Sequence, residues 1–357
     1  MNKYLNKGLL YQWFNSAKAV IFLGLIAWGY ISYEMIERQF FQVECNISNT
    51  FDNYIETFSL NEYVGLGVIF IIIHLAGQGL SKRNNLMFLN SSPYTKKQIK
   101  YNEIICLMIT ELLFIAVFIY MGAIRYFNYR NLLSIVDGYF AMLCIEVVKI
   151  ILIGMIGILF IMIIDSMFSN SIVGFIFMIS AIPLSIVMIF AKIKMTSEYV
   201  PVKDGKNIYQ IQFMKHSSEE VYHRLIPTPL FDSTSIREIH LTDILVNIAI
   251  LLIIAAILFI AYNKIQKLNT LEYSTKIFSS KINEKIIRIL CSIGAGCFAS
   301  LMIVSRYIEK LQGRNMIRYQ ALSGLNLIKG LGADILCVVI IAFICNVILK
   351  KILKIIE

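Results

Sequence analysis

Residues 104–124 read IICLMITELLFIAVFIYMGAI, an unbroken apolar run whose one charged side chain is Glu111. A helix crossing a hydrocarbon core of about 30 Å needs roughly 20 such residues at a rise of 1.5 Å each. Inside lipid, a helix satisfies its own backbone donors and acceptors where an open strand or loop cannot. The run is therefore read as a membrane span. Seven others resemble it, at about 19–36, 63–80, 139–164, 171–191, 243–262, 287–305 and 331–349. Across the 357 residues, 58% are hydrophobic and only 16% are charged, and the mean hydropathy is +0.70. That balance excludes an ordinary soluble domain. The expected fold is an all-α membrane protein, a polytopic bundle of about eight transmembrane helices.

The formal charge is +10, but the basic residues lie in the gaps between apolar runs. This distribution suits anionic headgroups of the lipid bilayer and gives no nucleic-acid surface. Eight spans place both ends on one side, and the short loops of that side hold about twice as many Lys and Arg as those opposite. Both termini are expected to be cytoplasmic in a multi-pass protein of the cell membrane. No small-residue cleavage pattern follows Tyr30, so the first span is expected to be retained. Six of the seven cysteines lie inside apolar runs and none forms a Cys-x-x-Cys pair, so no disulfide framework and no metal site are expected.

Three elements are expected outside the spans. Residues 3–17 place Leu5, Leu9, Leu10, Trp13 and Phe14 on one half of a helical wheel, the pattern of an N-terminal amphipathic elbow helix in the interface plane. Residues 195–242 form a small extracellular cap, with Asp204-Gly205 as a hairpin turn and a capping box from Ser217 to Glu220 opening a helix that Pro227 ends. The third lies at 90–104, NSSPYTKKQIKYNEI. Pro93 breaks what precedes it, Thr95 caps a new helix and Gln98 reaches back to complete the box. That helix carries Lys96, Lys97 and Lys100, with Tyr94, Ile99 and Tyr101 as apolar surface, on the expected cytoplasmic side. The lysines suit headgroup anchoring; a rigid helix there also suits docking, because it moves as a body where a loop would absorb displacement.

The phrase LMFLNSSPYTKKQIKYNEII resembles the segment after the second span of the ABC type-2 exporter permeases. There, a Leu-x-Ser-x-Pro-x-Ser/Thr-Arg/Lys-x-x-Ile pattern precedes a coupling helix seated on the ATP-binding subunit. Leu89, Ser91 or Ser92, Pro93, Thr95, Lys96 and Ile99 match it, with lysine where arginine is common. The order of elbow, spans and outer cap over residues 1–262 is similar as well. NTLEYSTKIFSSKINEKIIRIL (269–290) resembles the linker of the eight-span branch found in Gram-positive antimicrobial-peptide and cell-envelope exporters, with Ser274 near the glutamate where that branch usually has glycine.

The resemblance implies a six-span permease core at 1–265, with coupling segment 90–103, and a two-span extension at 266–357. It implies docking by Pro93, Tyr94, Thr95, Lys96, Lys97, Ile99, Lys100 and Tyr101. The implied partners are two ATP-binding subunits and a second permease subunit, identical or related. ATP and Mg would be held by the partner ATPase, with no cofactor on this chain, and the substrate would be a peptide, lipid or drug-like molecule.

No G-x-x-x-x-G-K-[ST] loop occurs, so ATP chemistry would need another chain. No H-E-x-x-H or G-x-S-x-G arrangement occurs, and no catalytic residue is assigned. Within the spans, Glu146 and Lys149 share one helical face near mid-depth, where ionisable groups are costly; they serve either function or mutual neutralisation. Glu111 and His74, the latter with Gln78, are further polar candidates that either act or hold helices together. Gly65, Gly154, Ser292, Gly296 and Ser300 permit close helix contact. The alternatives are a secondary transporter, a membrane immunity or sensor protein that binds a peptide without moving it, and an intramembrane enzyme.

Overall fold

The computed structural model describes residues 6–50, 54–78, 95–169, 171–200, 230, 235–268, 277–312 and 322–356. Eight helices in it are long and apolar enough to span a membrane. They are α1 (Lys7–Thr50), α2 (Val64–Gln78, entered through a 3-10 turn at Leu60–Tyr63), α3 (Lys96–Asn128), α4 (Tyr139–Met167), α5 (Ile182–Tyr199, its span starting at Val173 in the helical turns before it), α6 (Leu241–Leu268), α7 (Lys281–Leu311) and α8 (Gly324–Ile356). Among the described residues there is no strand, only isolated bridges. The expected all-α fold with eight helices of spanning length is what is found among the described residues.

The chain forms two compact units. One comprises Met1–Phe175 with Leu225–Asn269, and the other Ile176–Arg224 with Thr270–Glu357. The second unit contains most of the fifth span together with the seventh and eighth.

In the first unit α1 packs on α2 and α3, and α4 packs on α3 and α6. Lipid tails are as apolar as leucine, so such contacts rest on close packing and polar links more than on exclusion of water. Buried Leu9, Trp13, Ala17 and Ile21 repeat every fourth residue along α1, and the stripe continues through Trp28, whose Nε1 donates to the Phe114 carbonyl of α3 at 3.0 Å. The expected elbow is not set apart. Ala17, Lys18 and Ala19 are good helix formers, and neither proline nor glycine stands between Gly8 and Gly24 to break the run there, so one helix passes from Lys7 to Thr50.

Between α1 and α2 the extended segment 54–59 lies across the bundle end. Tyr54 bridges Asp137, Glu56 bridges Ser235, and the Ile236 N–H donates to the Ile55 carbonyl at 3.0 Å. Gly138, which enters α4 at φ 89°, is needed there twice over. Its backbone is left-handed, and an added Cβ would lie 2.8 Å from Ile236 Cγ2. Of the expected cap, Leu230 is buried against Ile145, Leu152 and Leu251; Asp204-Gly205 and the Ser217–Pro227 helix fall outside the described residues.

In the second unit α7 packs on both α5 and α8. Glycines set both contacts: a Cβ on Gly294 would lie 2.6 Å from Ser185 Cβ, and one on Gly296 would lie 2.6 Å from the Val338 carbonyl oxygen. Before α5, Phe177–Ala181 form a π-turn. Pro183 follows within two positions of the start of α5. It lacks an N–H and crowds the preceding turn, and a widened turn accommodates both effects.

Candidate functional site: buried charge clusters

Glu146 and Lys149 lie one turn apart on α4 with both side chains at 0% exposure. Their separation is 2.9 Å. Segment 54–63 closes over them. The Phe58 N–H donates to Glu146 Oε1 at 2.9 Å, and Lys149 Nζ donates to the Phe58 carbonyl at 2.6 Å. The Tyr63 hydroxyl donates to Glu146 Oε2, and its ring centroid lies 5.9 Å from Lys149 Nζ. The carboxylate thus accepts from three donors, and one main-chain peptide segment is gripped at both its N–H and its C=O. Such a pair offsets its desolvation only when its remaining sites are filled, which is the arrangement here. The pair expected from the sequence is a clasp holding segment 54–63 to α4, with no side-chain face open to solvent.

A second cluster gathers α2, α3 and α4. Lys100 Nζ lies 2.7 Å from Glu103 Oε2 and 3.4 Å from Asp165 Oδ2. His74, fully buried, directs Nε2 at Asp165 Oδ1 from 3.8 Å, beyond hydrogen-bond reach. Glu111 lies deeper on α3 against Gly154, where no Cβ would fit, and its Oε1 is buried without a hydrogen-bond partner. His74 and Glu111 are accordingly packed among helices.

The coupling segment is described in part. Pro93 and Tyr94 fall outside the described residues, as does the phrase from residue 86 to 92. At Thr95 the capping box is present: its hydroxyl accepts from the Gln98 N–H, and the Gln98 side chain accepts from the Thr95 N–H at 2.9 Å. Lys96 and Lys97 begin the helix. The expected free-standing short helix is instead the first turn of α3, which runs unbroken into the third span because nothing in KKQIKYNEIICL interrupts it. Ile99 is buried, Lys100 is engaged as above, and the Tyr101 hydroxyl donates to Asn263 Oδ1 of α6 at 3.0 Å. These three residues face the bundle.

The second unit holds a cluster that the sequence reading missed. Asp334 of α8 accepts from Tyr199 Oη at 2.7 Å, from the Ser300 hydroxyl of α7 and from Lys192 of α5. Three helices meet on one carboxylate that is 4% exposed. Burial, with the hydrogen bond to Asp334, pushes the Tyr199 phenol above its ordinary range. Asp334 was legible as a lone acid in GLGADILC. Lys192 and Asp165 each stand one residue past the apolar runs drawn at 171–191 and 139–164, so hydropathy assigned them to loops.

Among the described residues no group of three His, Cys, Asp or Glu is placed to hold a metal ion. Comparison with protein families, curated proteins and solved structures finds no match for this chain.

Proposed function

We propose that the chain is the membrane subunit of an exporter driven by a separate ATPase, the reading that the resemblance at residues 86–105 implies. The observation that carries it is the capped start of α3: a helix locked at Thr95 by two reciprocal hydrogen bonds, with lysines in its first turn, continuing rigidly into a span that packs on α1 and α4. Force applied at Lys96 and Lys97 would travel along α3 as a body, since 33 residues of unbroken helix offer no joint to absorb it. Two ATP-binding subunits would dock at this end, in the cytoplasm of a Gram-positive cell, and a second permease subunit would complete the pathway. In this reading residues 7–17 would serve as the elbow from within α1, and the outer cap keeps the place that the sequence assigns it.

The test is reconstitution of the chain in sealed vesicles with the ATPase that co-purifies with it. Lys96→Glu with Lys97→Glu should abolish transport-linked ATP hydrolysis while leaving the permease folded; Ile99 is avoided because it is buried. Absence of any co-purifying ATPase, or undiminished coupling in the double variant, rejects the reading. Transport driven by an ion gradient without ATP would instead support a secondary transporter.

A further inference from the structure

The second unit ends in a concentrated positive charge that neither the clusters nor the proposed docking end uses. Arg288 Nε donates to Asn346 Oδ1 at 2.8 Å, and Gly296 lies against Val338. These two contacts fix the antiparallel register of α7 and α8. Continued toward the end of the hairpin, the register sets Glu284 level with Lys350 and Lys281 level with Leu353, next to Lys354. The start of α7 and the last turns of α8 therefore present Lys281, Lys285, Lys350, Lys351 and Lys354 side by side, all exposed. Among the described residues the nearby acid, Glu284, is taken by Arg288 at 2.7 Å. Among the described residues none of the five lysines has an ion-pair partner.

Their placement along the helices identifies what they face. On α8 an outward apolar stripe, Leu336, Ile340, Phe343 and Val347, runs at i, i+3/i+4 spacing directly into Lys350 and Lys354. On α7 exposed Ile282, Ile286 and Ile289 lie beside Lys281 and Lys285. Exposed apolar side chains give way to lysines at the same end of both helices, with Ile282 and Ile352 interleaved among them, which marks the edge of the hydrocarbon. Lysines just past that edge can lay their methylene stems along the stripe and lift the ammonium groups to headgroup depth.

We propose that this hairpin end is a binding surface for anionic phospholipid headgroups, with the five lysines as its phosphate contacts. The proposal rests on the α7–α8 register and stands whether or not the chain is an exporter. Lysine near an anionic leaflet gains about fivefold in affinity per residue, whereas a zwitterionic lipid gains little. A soluble anion would share the charge but not the apolar stripe.

The test uses the full-length protein in neutral detergent, with bound lipids counted by native mass spectrometry. Phosphatidylglycerol should bind at least tenfold more tightly than phosphatidylcholine, and inorganic phosphate at millimolar concentration should not displace it. K281Q/K285Q/K350Q/K351Q/K354Q should lose the preference, and the milder K350Q/K351Q/K354Q should lose at least tenfold of it, with helix content checked by circular dichroism. K7Q/K18Q/K264Q, which removes exposed lysines elsewhere, should keep it. The proposal is overturned by equal affinity for the two lipids, by equal losses in the α8 triple variant and the control, or by displacement with free phosphate.

Discussion

Lys149 is a full charge with no exposed side-chain surface, and Glu146 is what makes that tolerable. Replacing either partner alone leaves the other buried without its counter-charge, which costs about 3–5 kcal/mol, whereas replacing both by apolar residues of similar volume removes the desolvation penalty together with the attraction. Glu146→Gln and Lys149→Met should therefore each lower the unfolding midpoint of the solubilised protein strongly, and Glu146→Leu with Lys149→Met should recover most of the loss. Equal losses in the single and double variants would refute the clasp. Tyr199 gives a pH signature. Its folded-state pKa is raised, so the stability it contributes is fully present below about pH 10 and declines as pH rises beyond the unfolded phenol's pKa toward the folded one. Tyr199→Phe should flatten the alkaline decline of thermal stability in this window and leave the neutral range without a new pH dependence. At this scale the sequence showed which ionisable residues lay in apolar runs, as with Glu146 and Lys149. It could not show that the Phe58 main chain completes their bonding, because that partner is set by a loop folding back over α4.

Helices were the most legible elements, since apolar length alone marks a span. Their limits were less so: hydropathy ended the third run near residue 124, while the helix continues to Asn128 and begins at Lys96, where capping chemistry starts it. The elbow illustrates the converse. Amphipathic spacing marked the buried face of α1 correctly at Leu9 and Trp13, but no breaking residue separated that face from the span. Close contact was readable at Gly296, although its partner was not. Gly296→Val should push α7 from α8, because even a Cβ would meet the Val338 carbonyl, with an expected loss of about 1–3 kcal/mol on the scale of overpacking. Gly332→Ala, with nothing within 4 Å of the added atom, should be neutral or stabilise by up to about 1 kcal/mol. Thermal unfolding of the two variants checks the contrast.

On the scale of the molecule, the two units should be separable by choice of probe. Both tryptophans, Trp13 and Trp28, belong to the first unit, while the Lys192–Asp334 pair belongs to the second. Lys192→Met leaves Asp334 with two neutral donors and no counter-charge. It should lower the midpoint of a transition followed by circular dichroism and leave that followed by tryptophan fluorescence in place. A matching shift in both would show that the units unfold as one. The grouping of the fifth span with the seventh and eighth was hidden in the sequence because pairing between distant helices depends on which small residues oppose each other, as Ser185 does Gly294. The division into six spans and two is what the resemblance implies, and it carries no statement about which helices pack together.

The 44 residues of α1 make a rod of roughly 66 Å at 1.5 Å per residue. To fit wholly within about 30 Å of hydrocarbon it would have to lean by roughly 60°, well past the tilts of up to about 40° that spanning helices adopt. Part of it must stand in water, and its mixed tail, ERQFFQVECNISNT, is the portion composed for that. Arg125 of α3 meets this tail at Glu37, 2.5 Å away, and the Tyr129 hydroxyl donates to the same carboxylate at 2.7 Å. The two helices would form a short mast above the headgroups. Cys45, partly exposed near its top, should react with a membrane-impermeant maleimide applied to that face, while buried Cys106 stays unlabelled until the protein is unfolded.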